Sequence, residues 1–178
     1  SQADKIEKEI LKKFGSRVYG LNEDTLPSVV EKLLVMKKRT LAAAESCTGG
    51  LLSNSITDVP GSSRSFKGSV VAYDNGVKKS FLGISGRLIK KEGAVSAAAA
   101  RAMAKNVRLN FKTDYGIGIT GIAGPAGGTP KKPVGLVYIA VAGPKKIKSR
   151  QFHFLGSRTD VKSKAAHEAL DLLRLELL

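Results

Sequence analysis

The chain has 178 residues, 42 % of them apolar and 6 % aromatic with no Trp, and its 30 Lys and Arg against 15 Asp and Glu give a net charge of +15. That length suits one domain with a real core, and a core of Ala, Val, Ile, Leu and Gly favours close-packed α/β layers over an aromatic-rich β-sandwich. The lone Cys47 excludes an internal disulfide and a cysteine-cluster zinc site, the two histidines (His153 and His167) argue against a His-rich metal centre, and no apolar run approaches the ~20 residues that span a bilayer. The charged, helical start has no signal-peptide pattern, so a soluble, cytoplasmic protein is expected. So basic a chain attracts anions, either nucleic acid or phosphorylated metabolites. The excess is dispersed, however, in pairs such as Lys78-Lys79 and Lys131-Lys132. It lacks the interleaved aromatics of a single-stranded nucleic-acid platform, so it reads mainly as solvated surface.

Taken in order, Asp4 to Phe14 is an amphipathic helix with Ile6, Ile10, Leu11 and Phe14 on one side, ended by Gly15. Ser16 to Asn22 is a polar connector. A second helix starts near Thr25, an N-cap with Pro27 in the first turn, and keeps helical spacing from Leu26 to Met36. Thr40 to Ala44 reads as a buried strand. Leu51 to Thr57 is helical, with Leu51, Leu52 and Ile56 on one face. Pro60 to Ser63 is a loop. Ser69 to Tyr73 is β-like, and Val77 to Leu82 is a helical turn before Gly83. Val95 to Leu109 is the clearest helix, capped by Ser96. Tyr115 to Thr120 is a strand, and Gly121 to Pro133 is a Gly/Pro/Thr-rich loop. Gly135 to Ala142 and Ser149 to Leu155 are strands, the latter with Gln151 and His153 on its polar side. Thr159 to Leu178 closes as a helix with Val161, Ala165, Leu170, Leu173 and Leu177 inward.

Strands that alternate with helices early and lie adjacent late predict a mixed, mostly parallel sheet of about five strands with helices on both faces. Residues 1–24 form a helix and connector, and residues 25–178 the domain proper. Ligand sites in such sheets lie where strands hand over to loops. Three loops qualify: after Ala44, after Tyr73 and after Thr120.

The first of these, Ala44-Glu45-Ser46-Cys47-Thr48-Gly49-Gly50, puts small, hydroxyl and glycine residues where a strand becomes a helix. Ser46 Oγ would lie there beside unpaired helix N–H groups, donors for a phosphate or an oxyanion. The plain alternative is an N-cap and a tight Gly-Gly turn. The stretch matches neither a Walker loop nor G-x-S-x-G. A serine nucleophile also needs a base. No histidine falls in a candidate loop, which leaves carboxylates or a lysine of lowered pKa. Lys78 follows Tyr73 at such a loop, and Tyr73 would then pass protons between Lys78 and Ser46. On spacing alone, Lys78 reads better as a solvated helix lysine.

Six ordered motifs carry a resemblance. They are Glu45-Ser46-Cys47-Thr48-Gly49-Gly50; Val59-Pro60-Gly61-Ser62-Ser63; Tyr73…Asn75…Lys78…Leu82-Gly83; Gly93-Ala94-Val95-Ser96; Thr120-Gly121-Ile122-Ala123-Gly124-Pro125; and Lys132-Pro133-Val134-Gly135. From about Leu41 to Leu178 the chain resembles the CinA C-terminal domain, a family of nicotinamide-nucleotide amidases that convert nicotinamide mononucleotide to nicotinate mononucleotide and ammonia. The resemblance implies a three-layer α/β/α sandwich and Ser46 as nucleophile, with Lys78 as general base and Tyr73 assisting. It implies no cofactor and no metal, and Thr120 and Arg158 as further polar site residues. The turn geometry, rather than the resemblance, makes the backbone amides from Cys47 through Thr48 and Gly49 to Gly50 the expected oxyanion donors; Asn75 and Gly121 are expected to line the substrate site, and Arg158 with the loop amides after Gly121 suits the phosphate. A homo-oligomer is expected, with the nucleotide as partner.

The chain departs from the family in two places. Where relatives commonly have Gly-Asp-Arg and then a second Arg, it has Gly156-Ser157-Arg158 and Lys162, which puts the orientation of Arg158 in question. Leu26 to Met36 resembles the segment joining this domain to a molybdopterin-binding-like domain, so the chain reads either as an excised C-terminal half or as a solitary domain with a helical preface. Two other functions compete with the amidase: a basic nucleotide or nucleic-acid binding module in which Ser46 only caps a helix, and a degenerate domain that serves oligomerisation.

Overall fold

The structure, a computed structural model, describes residues 1–178. The helices are α1 (Gln2–Phe14), α2 (Leu26–Met36), α3 (Leu51–Thr57), α4 (Asn75–Ser80), α5 (Gly86–Glu92), α6 (Ala97–Asn110) and α7 (Arg158–Leu177). The strands are β1 (Leu41–Glu45), β2 (Phe66–Val71), β3 (Tyr115–Gly121), β4 (Leu136–Ala142) and β5 (Ile147–His153). They form one sheet in the order β2-β1-β3-β4-β5. β1 runs parallel to β2 and β3, while β4 is antiparallel to both β3 and β5. Four strands therefore point one way and β4 opposes them, the mixed sheet the sequence predicts.

Period-two alternation sorts the small residues of β1 between two cores. Leu41 and Ala43 join Val30 and Leu34 of α2, Ile56 of α3 and Leu170 and Leu173 of α7 on one face. Ala42 and Ala44 meet Leu82, Ile84, and Met103 and Val107 of α6 on the other. β3 touches α6 more closely still. A Cβ at Gly118 would fall 2.3 Å from the Ala100 carbonyl oxygen, and one at Gly116 would fall 2.2 Å from that of Ala104. Bare backbone on β3 and alanines on α6 thus let helix and strand touch. Gly118→Ala should force them apart, losing roughly 3 kcal/mol and lowering Tm by about 6–12 °C. An unchanged melting curve would show that the contact yields freely.

The local signals hold well. Thr25 caps α2 with Pro27 in the first turn, Ser96 caps α6, and α3 spans the predicted seven residues. Three differences have physical causes. β2 starts three residues before the predicted Ser69, because its pairing with β1 begins at Phe66. α4 likewise starts at Asn75 rather than Val77, since the Asp74 side chain accepts the Gly76 N–H and caps it early. α5 has no counterpart in the sequence reading: it is seven residues long, and only Leu88 and Ile89 pack, half-buried, against the core, too short a stripe to mark a helix. The amphipathic α1 also forms, yet it too has no buried residue.

Candidate active site

The chain leaves β1 through α3 to reach β2, then crosses back by α6 on the opposite face to reach β3. The carboxyl end of β1 is therefore the switch point at which doubly wound sheets bind ligands. Ser46 sits there. Its N–H donates to the Ile119 carbonyl at 3.0 Å, extending the ladder between β1 and β3 by one residue. The chain then reverses through Gly49 and Gly50, both left-handed with φ of 63° and 97°, a conformation that favours glycine.

Lys78 lies across from Ser46. It is only 2 % exposed, the largest side chain buried so completely, so the solvated-lysine alternative is overturned. Its Nζ is 3.1 Å from Ser46 Oγ, 2.7 Å from the Ala72 carbonyl oxygen and 3.3 Å from that of Tyr73. Burial holds the Lys78 ammonium below the ordinary lysine range, against an opposing pull from Asp74. Carbonyls only accept. A neutral amine therefore directs its two N–H bonds at Ala72 and Tyr73 and leaves its lone pair for the Ser46 hydroxyl, the arrangement of nucleophile and base.

Both groups open into a cavity of about 270 Å³, where Tyr73, Asn75, Thr120, Gly121 and Arg158 also gather. Its wall carries the guanidinium of Arg158 and no carboxylate, so it suits an anionic ligand. Arg158 donates from Nη1 to the Gly124 carbonyl and from Nη2 to the Tyr73 hydroxyl, each at 2.7 Å. Ser157 caps α7 through the Asp160 N–H, so the orientation of Arg158 comes from Gly124 and Tyr73 rather than from the residue before it. Lys162, one turn further along, lies against the Ser46 turn, its Nζ 3.7 Å from where a Cβ of Gly49 would be. Neither histidine lines the cavity, and no three His, Cys, Asp or Glu side chains cluster anywhere in the chain.

Three expectations need correction. Tyr73 is no relay between Lys78 and Ser46: the lysine reaches the serine directly, and the tyrosine hydroxyl is bonded to Arg158. The start of α3 is not an open anion site. The carboxylate of Glu45, itself fully buried, accepts from the N–H groups of Gly50, Leu52 and Ser53 at 2.9 to 3.1 Å and from the Ser53 hydroxyl. The Gly49 N–H is taken by the Ser46 carbonyl. Thr48, Gly49 and Gly50 accordingly lie off the cavity wall. Of the expected oxyanion donors, only the amides of Cys47 and Thr48 have no backbone oxygen acceptor, and both lie against the Cys47 sulfur. The Cys47 thiol beside them is pushed up to about 12 by burial, so it stays protonated.

Two contributors escaped the sequence reading. Glu45 had a signal, an acid at the mouth of a helix N-terminus. Lys132 had none beyond its motif: its Nζ bonds the Val95 and Glu92 carbonyls at 2.7 and 3.1 Å, while the Thr120 hydroxyl holds the Ala94 carbonyl at 2.8 Å. Together they pin the loop that forms one cavity wall.

A sequence profile of the CinA C-terminal domain matches residues 23–177. The chain belongs to that family. This CinA domain is 49 % identical over 176 residues to a CinA-like protein of Thermosynechococcus vestitus, covering 97 % of the chain and 42 % of that protein. It is 48 % identical to a CinA-like protein of Desulfotalea psychrophila, covering 92 % of the chain and 40 % of the relative. It thus spans about two-fifths of the length of these curated relatives. Among solved structures it superposes on a CinA superfamily protein of Klebsiella pneumoniae with TM-score 0.83 at 28 % identity, covering 85 % of this chain and 95 % of that one. A competence/damage inducible protein of Agrobacterium tumefaciens gives TM-score 0.80 at 28 % identity over 89 % of this chain and 99 % of its own. The mixed sheet with helices on both sides is shared with these structures.

Proposed function

We propose that the CinA domain is a Ser/Lys amidohydrolase that deamidates nicotinamide mononucleotide. The observation that carries this reading is the buried amine of Lys78, 3.1 Å from the Ser46 hydroxyl and flanked by two carbonyls. Neutral Lys78 takes the proton of Ser46 as Oγ attacks the carboxamide carbon. The oxygen of the tetrahedral adduct gathers negative charge, for which the amides of Cys47 and Thr48 are the available donors. Lys78 returns the proton to the departing nitrogen, ammonia leaves, and a nicotinoyl ester remains on Ser46. Water then attacks the ester, giving its proton to Lys78, which passes it to Ser46 Oγ as the acid is released. One amide and one water thus become one carboxylic acid and one ammonia. The acid-free, cationic cavity agrees with a phosphate-bearing substrate, and Arg158 is the group best placed to meet that phosphate.

The direct test is ammonia release from nicotinamide mononucleotide with no metal added. Release in step with nicotinate mononucleotide is expected. Failure to release any at saturating substrate would return the charge-driven binding module to first place. Arg158→Lys keeps the charge but cannot hold Gly124 and Tyr73 at once. It should raise KM roughly tenfold with little change in kcat, and a fall in kcat alone would remove Arg158 from substrate binding.

A further inference from the structure

The loop between β3 and β4 supplies the stretch from Gly121 to Gly127 to the wall of the Ser46 cavity. Yet residues 123–132 make backbone hydrogen bonds only with one another, between Thr129 and Lys132. Side chains therefore have to hold this loop in place. Arg158 takes the Gly124 carbonyl on the limb that leaves β3, and His153 meets the Val134 carbonyl at the foot of β4. From the tip, Lys132 reaches across to the connection between α5 and α6, where its Nζ donates to the Val95 carbonyl at 2.7 Å and the Glu92 carbonyl at 3.1 Å. Gly93 makes room for that ammonium, since a Cβ there would fall 2.5 Å from Nζ. The Glu92 carboxylate pairs with Lys91 instead.

Ammonium-to-carbonyl bonds are charge-assisted, and one Nζ serves two acceptors at once. They tie the loop tip to the segment that puts Ala94 and Val95 on the same cavity wall. The far limb of that loop is also where Arg158 is anchored, through Gly124. We propose that Lys132 is a positioning residue for substrate binding: by latching the β3–β4 loop it fixes Gly124, and through Gly124 it aims Arg158 at the phosphate end of the substrate. The inference rests on the amidase reading for its substrate. Lys132 itself lies off the cavity wall and bonds neither Ser46 nor Lys78, so its effect belongs to binding rather than to the chemical step.

Lys132→Met keeps the unbranched stem and removes every donor. It should raise KM for nicotinamide mononucleotide roughly tenfold, hold kcat within about twofold, and leave the pH dependence of kcat in place. Lys132→Arg still has donors for both carbonyls and should recover most of the loss. NMR relaxation on the full chain reads the latch without any turnover. Backbone order parameters at Gly124, Ala126 and Gly127 should be about 0.85 in the parent, drop below about 0.6 in Lys132→Met, and return in Lys132→Arg. A parent that releases no ammonia while these values still drop would remove the amidase reading and leave the latch standing. Order parameters that are the same in parent and Lys132→Met would overturn the latch, whatever the activity. With an active parent, an unchanged KM, a loss confined to kcat, or no recovery in Lys132→Arg would each overturn the positioning role.

Discussion

Ser46→Ala and Lys78→Ala are each expected to lower ammonia release by roughly 10⁴-fold or more, with no further fall in the double variant. The two side chains act as one device, since the hydroxyl is a poor nucleophile until the amine takes its proton, and the amine has nothing to activate once the hydroxyl is gone. Additive losses would mean that the 3.1 Å contact between them is not the catalytic one. The pH profile is a second reading of the same pair. Only the neutral amine is a base, so activity in the parent falls as pH drops through the Lys78 pKa. That acid limb lies below the ordinary lysine range, because burial depresses the group. Stability follows the same titration. The pKa of Lys78 is lower folded than unfolded, so between the two values the unfolded chain binds more protons. The parent should gain stability as pH rises across that window and lose it as pH falls through the folded value. Lys78→Met, with no amine to titrate, should lack this slope. Matching slopes for parent and Lys78→Met in chemical denaturation would place the ammonium in contact with water.

Glu45→Gln is expected to lower kcat about 100-fold while KM stays within about twofold. The Glu45 carboxylate accepts four hydrogen bonds from the Gly50, Leu52 and Ser53 amides and the Ser53 hydroxyl. A carboxylate can accept them all, whereas an amide must turn an N–H toward at least one donor. The repulsion falls on the segment from Gly50 to Ser53, and the rigid turn behind it carries Ser46. Misplacing Oγ by about 1 Å suffices for such a loss. The group lies behind the turn, not in the cavity, so substrate binding should be spared. The accompanying loss of stability should be roughly 1–3 kcal/mol, the penalty for buried donors left unpaired. A variant that loses this stability while keeping kcat would reduce Glu45 to a helix cap.

The same carboxylate explains why the anion reading of the Ser46 turn was half right. Small, hydroxyl and glycine residues before Leu51 do mark a strand-to-helix turn with a left-handed Gly49-Gly50 reversal. The α3 donors that such a turn exposes are real as well, but the acid that consumes them is five to eight residues away along the chain. Sequence spacing shows that Glu45 is near the helix start without showing that its side chain folds over it.

What the sequence determined by itself is what neighbours in the chain decide. Thr25 with Pro27 and Ser96 start their helices, because a cap satisfies N–H groups only a few residues ahead. Val161 to Leu177 faces inward because helical spacing aligns those positions. β1 and β3 read as buried strands from their short runs of small and β-branched residues. The ordered motifs made the family legible, and with it Ser46 and Lys78 as candidate site residues. Only the tertiary structure decided what those residues experience. Ser46 and Lys78 are 32 positions apart and Tyr73 and Arg158 are 85 apart, so their contacts exist only once β1, β2 and the start of α7 are packed. Lys78 carries the same side chain in water or in the core. Sheet packing removes its water, which lowers its pKa, and leaves it two carbonyls and a serine hydroxyl.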